Sequence, residues 1–215
     1  MMQKKIELLR KTGHIHQVAD VTPIEYREGR ADKLSAWQVK NGPLSFTVMQ
    51  GKGMDLSELS YKGVNFSFLS KPGLQGRNQY DTNGQEALRS IMGGMLFTCG
   101  LENICAVYQN GETQYPMHGR IRTTPAEHTA VRTRWTSEGY EMELYGEMRE
   151  AELFGENLVL KRTITTIWPK KEIQIRDVIE NQGFREEPLM LLYHINAGYP
   201  LLDEEAEILI PARKN

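Results

Sequence analysis

Hydrophobic and polar residues alternate along most of this chain with the period of two that is typical of β-strands. In the first half, the dipeptides Asn41-Gly42 and Lys62-Gly63 separate successive alternating segments. Tight turns of this composition join neighbouring antiparallel strands. The pattern therefore predicts two β-hairpins, which pair residues 36–40 with 44–49 and residues 55–61 with 64–69.

The second half continues the same alternation, and turn residues lie between its segments. Helical periodicity is confined to the N-terminal ten residues and to residues 86–92. Because short strands at regular spacing are typical of sandwich folds, we predict an all-β fold for a single domain over residues 1–215. Residues 1–12 are expected to form an N-terminal arm. The further predicted strands are residues 95–100, 130–135, 140–147, 158–168, 171–179 and 189–194.

Two segments depart from this regular pattern. Residues 71–84 are rich in glycine, proline and amide side chains, which predicts a long loop of the kind that often borders a functional site. Residues 207–212 resemble the start of another strand, and the chain ends three residues later. We therefore expect the domain to lack its C-terminal strands.

Composition narrows the classes of function. The chain carries 26 basic and 28 acidic residues without a block of like charge, so nothing favours nucleic acid or an anionic membrane as a partner. It has neither an apolar run long enough to span a membrane nor a signal peptide. Cys99 and Cys105 are expected to be free thiols in a reducing compartment, and the cytoplasm is the expected location.

The first candidate functional motif is HGRIR, residues 118–122. If this segment is a strand, His118, Arg120 and Arg122 share one face, because side chains alternate. An imidazole and two guanidinium groups together suit a polyhydroxyl, carboxylate or phosphate group. The alternative is a surface strand with two solvated arginines.

The second candidate is His194, which follows the apolar run of residues 189–193. Asn196 lies two residues further and so on the same face, and Asp203 follows in an acidic stretch. A histidine in this setting is often a core residue that a backbone carbonyl satisfies. Imidazole titrates near neutral pH, however, so His118 and His194 facing one pocket could transfer protons on a hydroxylated substrate.

Other motifs carry less weight. His14 and His16 resemble the two-histidine metal element of a cupin, but only Asp20 follows them as a third ligand, so we predict no metal site. The glycines around Lys52 indicate a hairpin turn, since the remainder of a phosphate-binding loop is missing. There is no nucleophile elbow, which argues against acyl transfer.

Taken in order, these segments resemble the aldose 1-epimerase (galactose mutarotase-like) superfamily, and most closely an uncharacterised bacterial branch of it. The resemblance extends over nearly the whole chain from about residue 13. It implies a β-supersandwich of twisted antiparallel sheets with an open sugar site on one face. The matching motifs are GKGMDL at 51–56, GGMLFTCGL at 93–101, HGRIR at 118–122, PLMLLYHIN at 188–196 and PLLD at 200–203.

The resemblance also implies roles for particular residues. His194 looks like the general acid that protonates the ring oxygen, and His118 looks like the histidine that grips a substrate hydroxyl, with Arg122 as its companion. Arg120, Asn196 and Asp203 are expected to help bind the sugar. The superfamily's general base is a glutamate on a late strand, which we expect beyond Asn215.

The sequence thus predicts a sugar 1-epimerase that needs neither metal nor organic cofactor. A non-catalytic carbohydrate-binding or sensing domain is an alternative, and a metal-dependent cupin-like isomerase that uses His14 and His16 is a third. The expected partner is a small-molecule sugar, and self-association is compatible with the sequence. The identity of the sugar, including whether it is phosphorylated, stays open.

Overall fold

Antiparallel strands dominate residues 2–76 and 84–211, the part of the chain that the computed structural model describes. One α-helix, α1, spans Met2–Lys11, and short 3₁₀ turns cover Ile15–Gln17, Gly29–Ala31, Gly84–Arg89 and Ile121–Thr123. None of the helices in these ranges is long and apolar enough to span a membrane. The strands are β1 Ala19–Glu25, β2 Ser35–Asn41, β3 Leu44–Met49, β4 Asp55–Tyr61, β5 Val64–Asn65, β6 Leu96–Leu101, β7 Tyr108–Asn110, β8 Thr113–Tyr115, β9 Glu127–Trp135, β10 Tyr140–Ala151, β11 Asn157–Trp168, β12 Gln174–Asn181 and β13 Met190–Ile195.

The strands form two main sheets and a hairpin. In the first sheet the order is β1-β2-β3-β4-β6-β13, and β5 pairs with β4. The second sheet has the order β12-β11-β10-β9, and β7 pairs with β8 on its own. The predicted all-β fold is therefore confirmed.

The main hydrophobic core lies between the two sheets. Trp37 and Phe46 of the first sheet pack in one cluster with Leu144 and Ile164 of the second, and all four are buried. Along β10 and β11, buried and less buried positions alternate, as the period of two predicts. Each fully buried side chain of this size contributes roughly 1.5–3 kcal/mol of transfer free energy.

A second hydrophobic cluster covers the opposite face of the first sheet. Ala36 and Phe97 belong to it, whereas their chain neighbours Trp37 and Leu96 face the main core. Met92, from the segment before β6, closes over this outer face. The candidate functional site lies on the same face of the sheet.

The structure confirms the two predicted hairpins. Asn41 is paired with Leu44, and Tyr61 with Val64, although β5 ends at Asn65 rather than at residue 69. The short helix predicted over residues 86–92 is a 3₁₀ turn over Gly84–Arg89.

Other predictions are corrected. Residues 207–211 form no strand, because they are exposed and pair with no neighbouring strand among the described residues. Strands β1, β7 and β8 were not predicted. Of these, β7 and β8 are only three residues long, which is too short to show a clear alternation. Of the predicted loop over residues 71–84, residues 77–83 lie outside the described residues. Helix α1 forms most of the expected N-terminal arm.

Candidate active site

His118 is held by backbone contacts between two turns. Its amide donates to the carbonyl of Cys105 at 2.8 Å, and its own carbonyl accepts from the amide of Gly100 at 3.1 Å. Its φ of +61° lies in the left-handed region, which a residue other than glycine rarely adopts. Gly119 follows with a φ of +73°, and a Cβ placed there would lie 1.9 Å from the Gly100 carbonyl oxygen. The position after His118 therefore requires glycine.

The HGRIR segment is not a strand, which corrects the sequence interpretation. Its left-handed residues and the 3₁₀ turn Ile121–Thr123 break the alternation, so Arg120 and Arg122 point to different places. Arg122 is fully buried, and its Nε donates to the Met117 carbonyl at 3.2 Å. Arg120 pairs instead with Glu102 at 2.7 Å and lines a separate cavity of about 600 Å³.

His194 lies on β13, directly opposite Phe97 of β6. Its ring centroid is 5.9 Å from that of His118, and the ring planes are at 83°. Phe97 meets both imidazoles edge-on, with centroids 5.9 Å from His118 and 6.5 Å from His194. The structure thus brings together the two histidines that the sequence singled out, across 76 residues of chain.

The two imidazoles have different surroundings. Burial lowers the pKa of His118 below its usual value, and the neighbouring charges of His194 and Arg122 lower this pKa further. Its Nδ1 is buried without a hydrogen-bond partner in the structure. His194 is exposed. His118 is therefore a neutral group at neutral pH, and His194 is the imidazole that a ligand can reach from solvent.

Asn196 and Asp203 make local contacts. The Asn196 amide donates to the carbonyl of Gly94 at 2.9 Å and to that of His194 at 3.3 Å, so it anchors the end of β13. Asp203 is exposed, and its carboxylate accepts from the amide of Glu204 at 2.8 Å. The binding roles expected for both residues stay predictions.

Sequence reasoning missed Lys52 as a member of this region. The side chain is 1% exposed, and its Nζ donates to the Gln75 carbonyl at 3.3 Å. Burial and the positive charges of Arg122 and Arg30 lower its pKa to about 8, although the carboxylate of Asp55 acts to raise it. The flanking Gly51 and Gly53 indicated only a turn, and nothing local in the sequence predicts that a lysine there is buried.

Comparison with known proteins agrees with this fold. The model of a family described as "Domain of unknown function (DUF4432)" matches residues 32–215. The chain belongs to the DUF4432 family. No curated protein sequence matches it significantly.

Two solved structures are similar to the DUF4432 chain. A "putative aldose 1-epimerase" from Klebsiella pneumoniae aligns with a TM-score of 0.78 at 19% identity, over 85% of this chain and 48% of that one. The DUF4432 chain thus spans about half the length of that protein and has its fold. A galactose 1-epimerase from Lactobacillus acidophilus aligns over 69% and 45% of the two chains at 11% identity, with a TM-score of 0.34 that is too low to define a fold.

His14 and His16, the residues of the alternative cupin-like site, make local contacts. His14 accepts a hydrogen bond from the amide of His16 at 3.2 Å, and His16 pairs with Asp20 at 2.6 Å. In residues 2–76 and 84–211, the grouping that could hold a metal is Glu127, His128 and Glu147. Of these, Glu127 already pairs with an arginine and Glu147 with a tyrosine hydroxyl.

Proposed function

We propose that this chain carries the acid side of a sugar 1-epimerase site, which interconverts the anomers of an aldose by acid–base ring opening. The observation that carries the proposal is the placement of His118 and His194 with ring centroids 5.9 Å apart on one open face. The fold shared with the Klebsiella protein, which is itself named a "putative aldose 1-epimerase", supports it at the level of architecture.

In this proposal the two imidazoles have different roles, one as the acid and one in binding the sugar. The exposed His194 donates a proton to the ring oxygen as the bond between C1 and that oxygen breaks, while a base removes the proton of the C1 hydroxyl. The resulting carbonyl rotates, and ring closure by the reverse steps returns both protons. His118, neutral and beside Arg122, holds a sugar hydroxyl. A positioned acid of this kind contributes roughly 10²–10⁴-fold to the rate.

The base is the part that the described residues leave unassigned. Within residues 2–76 and 84–211, no carboxylate forms an ion pair with either imidazole, and the charged groups that shift the pKa of His118 are His194 and Arg122. That the base is a glutamate outside this sequence stays a prediction. The buried Asp55 is committed to Thr98 and Arg162 and does not serve.

Anomer exchange across a panel of aldoses, followed by polarimetry and by NMR exchange spectroscopy on the full-length protein, tests the proposal. We expect acceleration of at least one sugar and a loss of roughly 10²-fold or more in His194→Ala. His128→Ala changes an exposed histidine on the second sheet and is the matched control, which keeps the full rate. An unaccelerated panel, or a His194→Ala variant with the full rate, contradicts the assignment.

A carbohydrate-binding domain without catalysis is the second candidate. It is favoured by one observation, that no described carboxylate pairs with His118 or His194. Calorimetry separates the two functions. Saturable sugar binding, weakened in His118→Ala and accompanied by no acceleration of anomer exchange, indicates a binding domain.

A further inference from the structure

Two cationic side chains are buried on the face of the first sheet that carries the histidines. Lys52 is 1% exposed and Arg122 is 0% exposed. Neither forms an ion pair with a carboxylate in the described ranges of the chain, and Arg122 keeps its Nη2 buried without a hydrogen-bond partner. Buried charges without counter-charges are costly, so this arrangement needs an explanation.

A third buried cation shows how the same fold neutralises such a group. Arg162 is also 0% exposed, but it reaches Asp55 at 2.9 Å and Asp177 at 2.7 Å. Its Nη2 also donates to the Thr98 hydroxyl at 2.9 Å. The interior between the two sheets thus supplies carboxylates for its guanidinium group. Of these, Asp55 also acts on the charge of Lys52 but is hydrogen-bonded to Arg162 and Thr98, and no carboxylate pairs with Arg122 among the described residues.

The uncompensated charges adjoin the candidate site. Arg122 donates through Nε to the Met117 carbonyl, one residue from His118, and its charge acts on both His118 and Lys52. Its Nη1 donates to the Ser90 hydroxyl at 3.0 Å. The polar partners of Arg122 are therefore neutral oxygens, which leave its positive charge beside the histidines unbalanced.

Lys52 has similarly weak partners. Its Nζ donates to the Gln75 carbonyl, and at 3.3 Å this bond is longer than the usual 2.7–3.2 Å. An anion that took the place of this carbonyl would form a shorter, charge-assisted hydrogen bond. It would also supply a directly paired counter-charge, which neither Lys52 nor Arg122 has among the described residues.

We propose that the ligand of this site is an anionic sugar, whose carboxylate or phosphate group binds Lys52 and Arg122 while its ring lies at His118 and His194. The identification of the ring site rests on the proposed function. The anion site rests on the burial of Lys52 and Arg122 and on the lack of a directly paired carboxylate for either of them in the described ranges. A neutral sugar would leave both cations without a direct anionic partner.

Binding measured by calorimetry on the intact chain tests the proposal without requiring turnover. Each neutral hexose is compared with its hexuronate, which adds a carboxylate, and with its 6-phosphate. We expect at least one anionic class to bind about tenfold or more tightly than the neutral sugar, with an affinity that falls as salt is added. The comparison of the hexuronate with the 6-phosphate shows whether the site prefers a carboxylate or a phosphate group.

Substitution of Lys52 then localises the effect. Lys52→Met removes the charge at nearly constant volume, and we expect it to remove most of the preference for the anion while neutral-sugar binding is kept. Lys52→Arg keeps the charge and should retain part of the preference. Lys71→Met changes an exposed lysine of the nearby loop and should leave the preference unchanged.

The outcomes distinguish this proposal from the proposed function. Equal affinity for neutral and anionic sugars, or a preference unaffected by Lys52→Met, overturns the anion site. If Lys52→Met fails to fold, the salt-dependent preference of the unmodified chain decides. Tight binding of an anionic sugar without anomer exchange supports the anion site and contradicts the epimerase activity.

Discussion

Phe97 of β6 lies directly opposite His194 of β13, and its ring edge also meets His118. Phe97 is 2% exposed and belongs to the outer hydrophobic cluster. It therefore forms an apolar wall between the sheet and both imidazoles. Because an apolar neighbour disfavours the charged form of a histidine, this wall helps to keep His118 neutral.

The pKa of His118 can be measured by NMR titration of its ring protons. We expect a midpoint below the usual value of about 6.5, because burial and the positive charges of His194 and Arg122 disfavour protonation. Phe97→Leu opens the apolar wall, costs about 1–3 kcal/mol in stability as a large-to-small core substitution, and should raise this pKa. Phe154→Leu, at a side chain that is 91% exposed, is the control without effect. A midpoint unchanged by Phe97→Leu contradicts the role of the wall.

The lowered pKa of His118 also makes stability depend on pH. The unfolded chain binds a proton at His118 at a higher pH than the folded chain does, so the free energy of unfolding falls as pH decreases below about 6.5. The fall ends once the pH is below the folded pKa. His118→Gln should lack this contribution. Urea denaturation of both proteins between pH 8 and pH 5, at roughly half-unit steps, gives the comparison, and equal slopes would refute the prediction.

Glu102 should have the opposite effect. Burial and the nearby Glu156 and Glu150 together raise its pKa from 4.5 to about 7, although the charge of Arg120 acts to lower it. The folded chain therefore holds this proton more strongly than the unfolded chain, and stability falls as pH rises from 4.5 through about 7. Glu102→Gln should flatten this part of the urea-denaturation profile. The exposed Glu112→Gln is the control, and a profile that Glu102→Gln leaves unaltered rules the effect out.

Arg162 should be among the most sensitive positions for stability. Arg162→Met leaves Asp55 and Asp177 buried without their cation, so we expect a loss of about 3–5 kcal/mol in the free energy of unfolding. Arg132→Met removes a side chain that is 80% exposed on strand β9 of the same sheet, and should change stability by about 0.5 kcal/mol or less. Similar losses in the two variants would contradict this account of the buried network.

Gly119 is predicted to set the backbone position of His118. In Gly119→Ala the new Cβ would meet the Gly100 carbonyl oxygen at 1.9 Å and the Asn103 carbonyl oxygen at 2.6 Å. We expect a loss of more than about 2 kcal/mol and weaker sugar binding, because the turn must shift. Gly111→Ala also has a positive φ, but nothing lies within 4 Å, so only the roughly 1 kcal/mol conformational cost remains. Thermal denaturation compares the two, and equal losses would exclude the steric cause.

Most of the strands could be predicted from the sequence. The alternation over residues 140–147 and 158–168 corresponds to β10 and β11, which pair along their full length from Tyr140 opposite Trp168 to Ala151 opposite Asn157. The structure extends β10 beyond the predicted end because Met148 and Glu150 continue the buried positions. A buried glutamate interrupts the hydrophobic pattern, and its partners, the amides of Leu101 and Glu102, are distant in sequence.

The candidate site could be predicted from the sequence only in part. Both histidines were identified, yet the assumption that residues 118–122 form a strand placed Arg120 beside them, where the structure has Arg122 alone. The left-handed φ of His118 decides this geometry, and it depends on the contacts with Cys105 and Gly100. The hydrophobic and polar pattern around residue 118 does not predict these contacts with Cys105 and Gly100.

By itself, the sequence determined the all-β class, the two hairpins and the two histidines, because alternation and turn chemistry act between residues that are close along the chain. Only the tertiary structure decided that His118 meets His194 and that the charges of Lys52 and Arg122 lie close enough to interact. Those relationships depend on the pairing of β13 with β6 and on turns held by distant backbone groups. Whether a charged side chain is buried depends on how distant segments pack, and therefore the burial of Lys52 and Arg122 could be seen only in the folded chain.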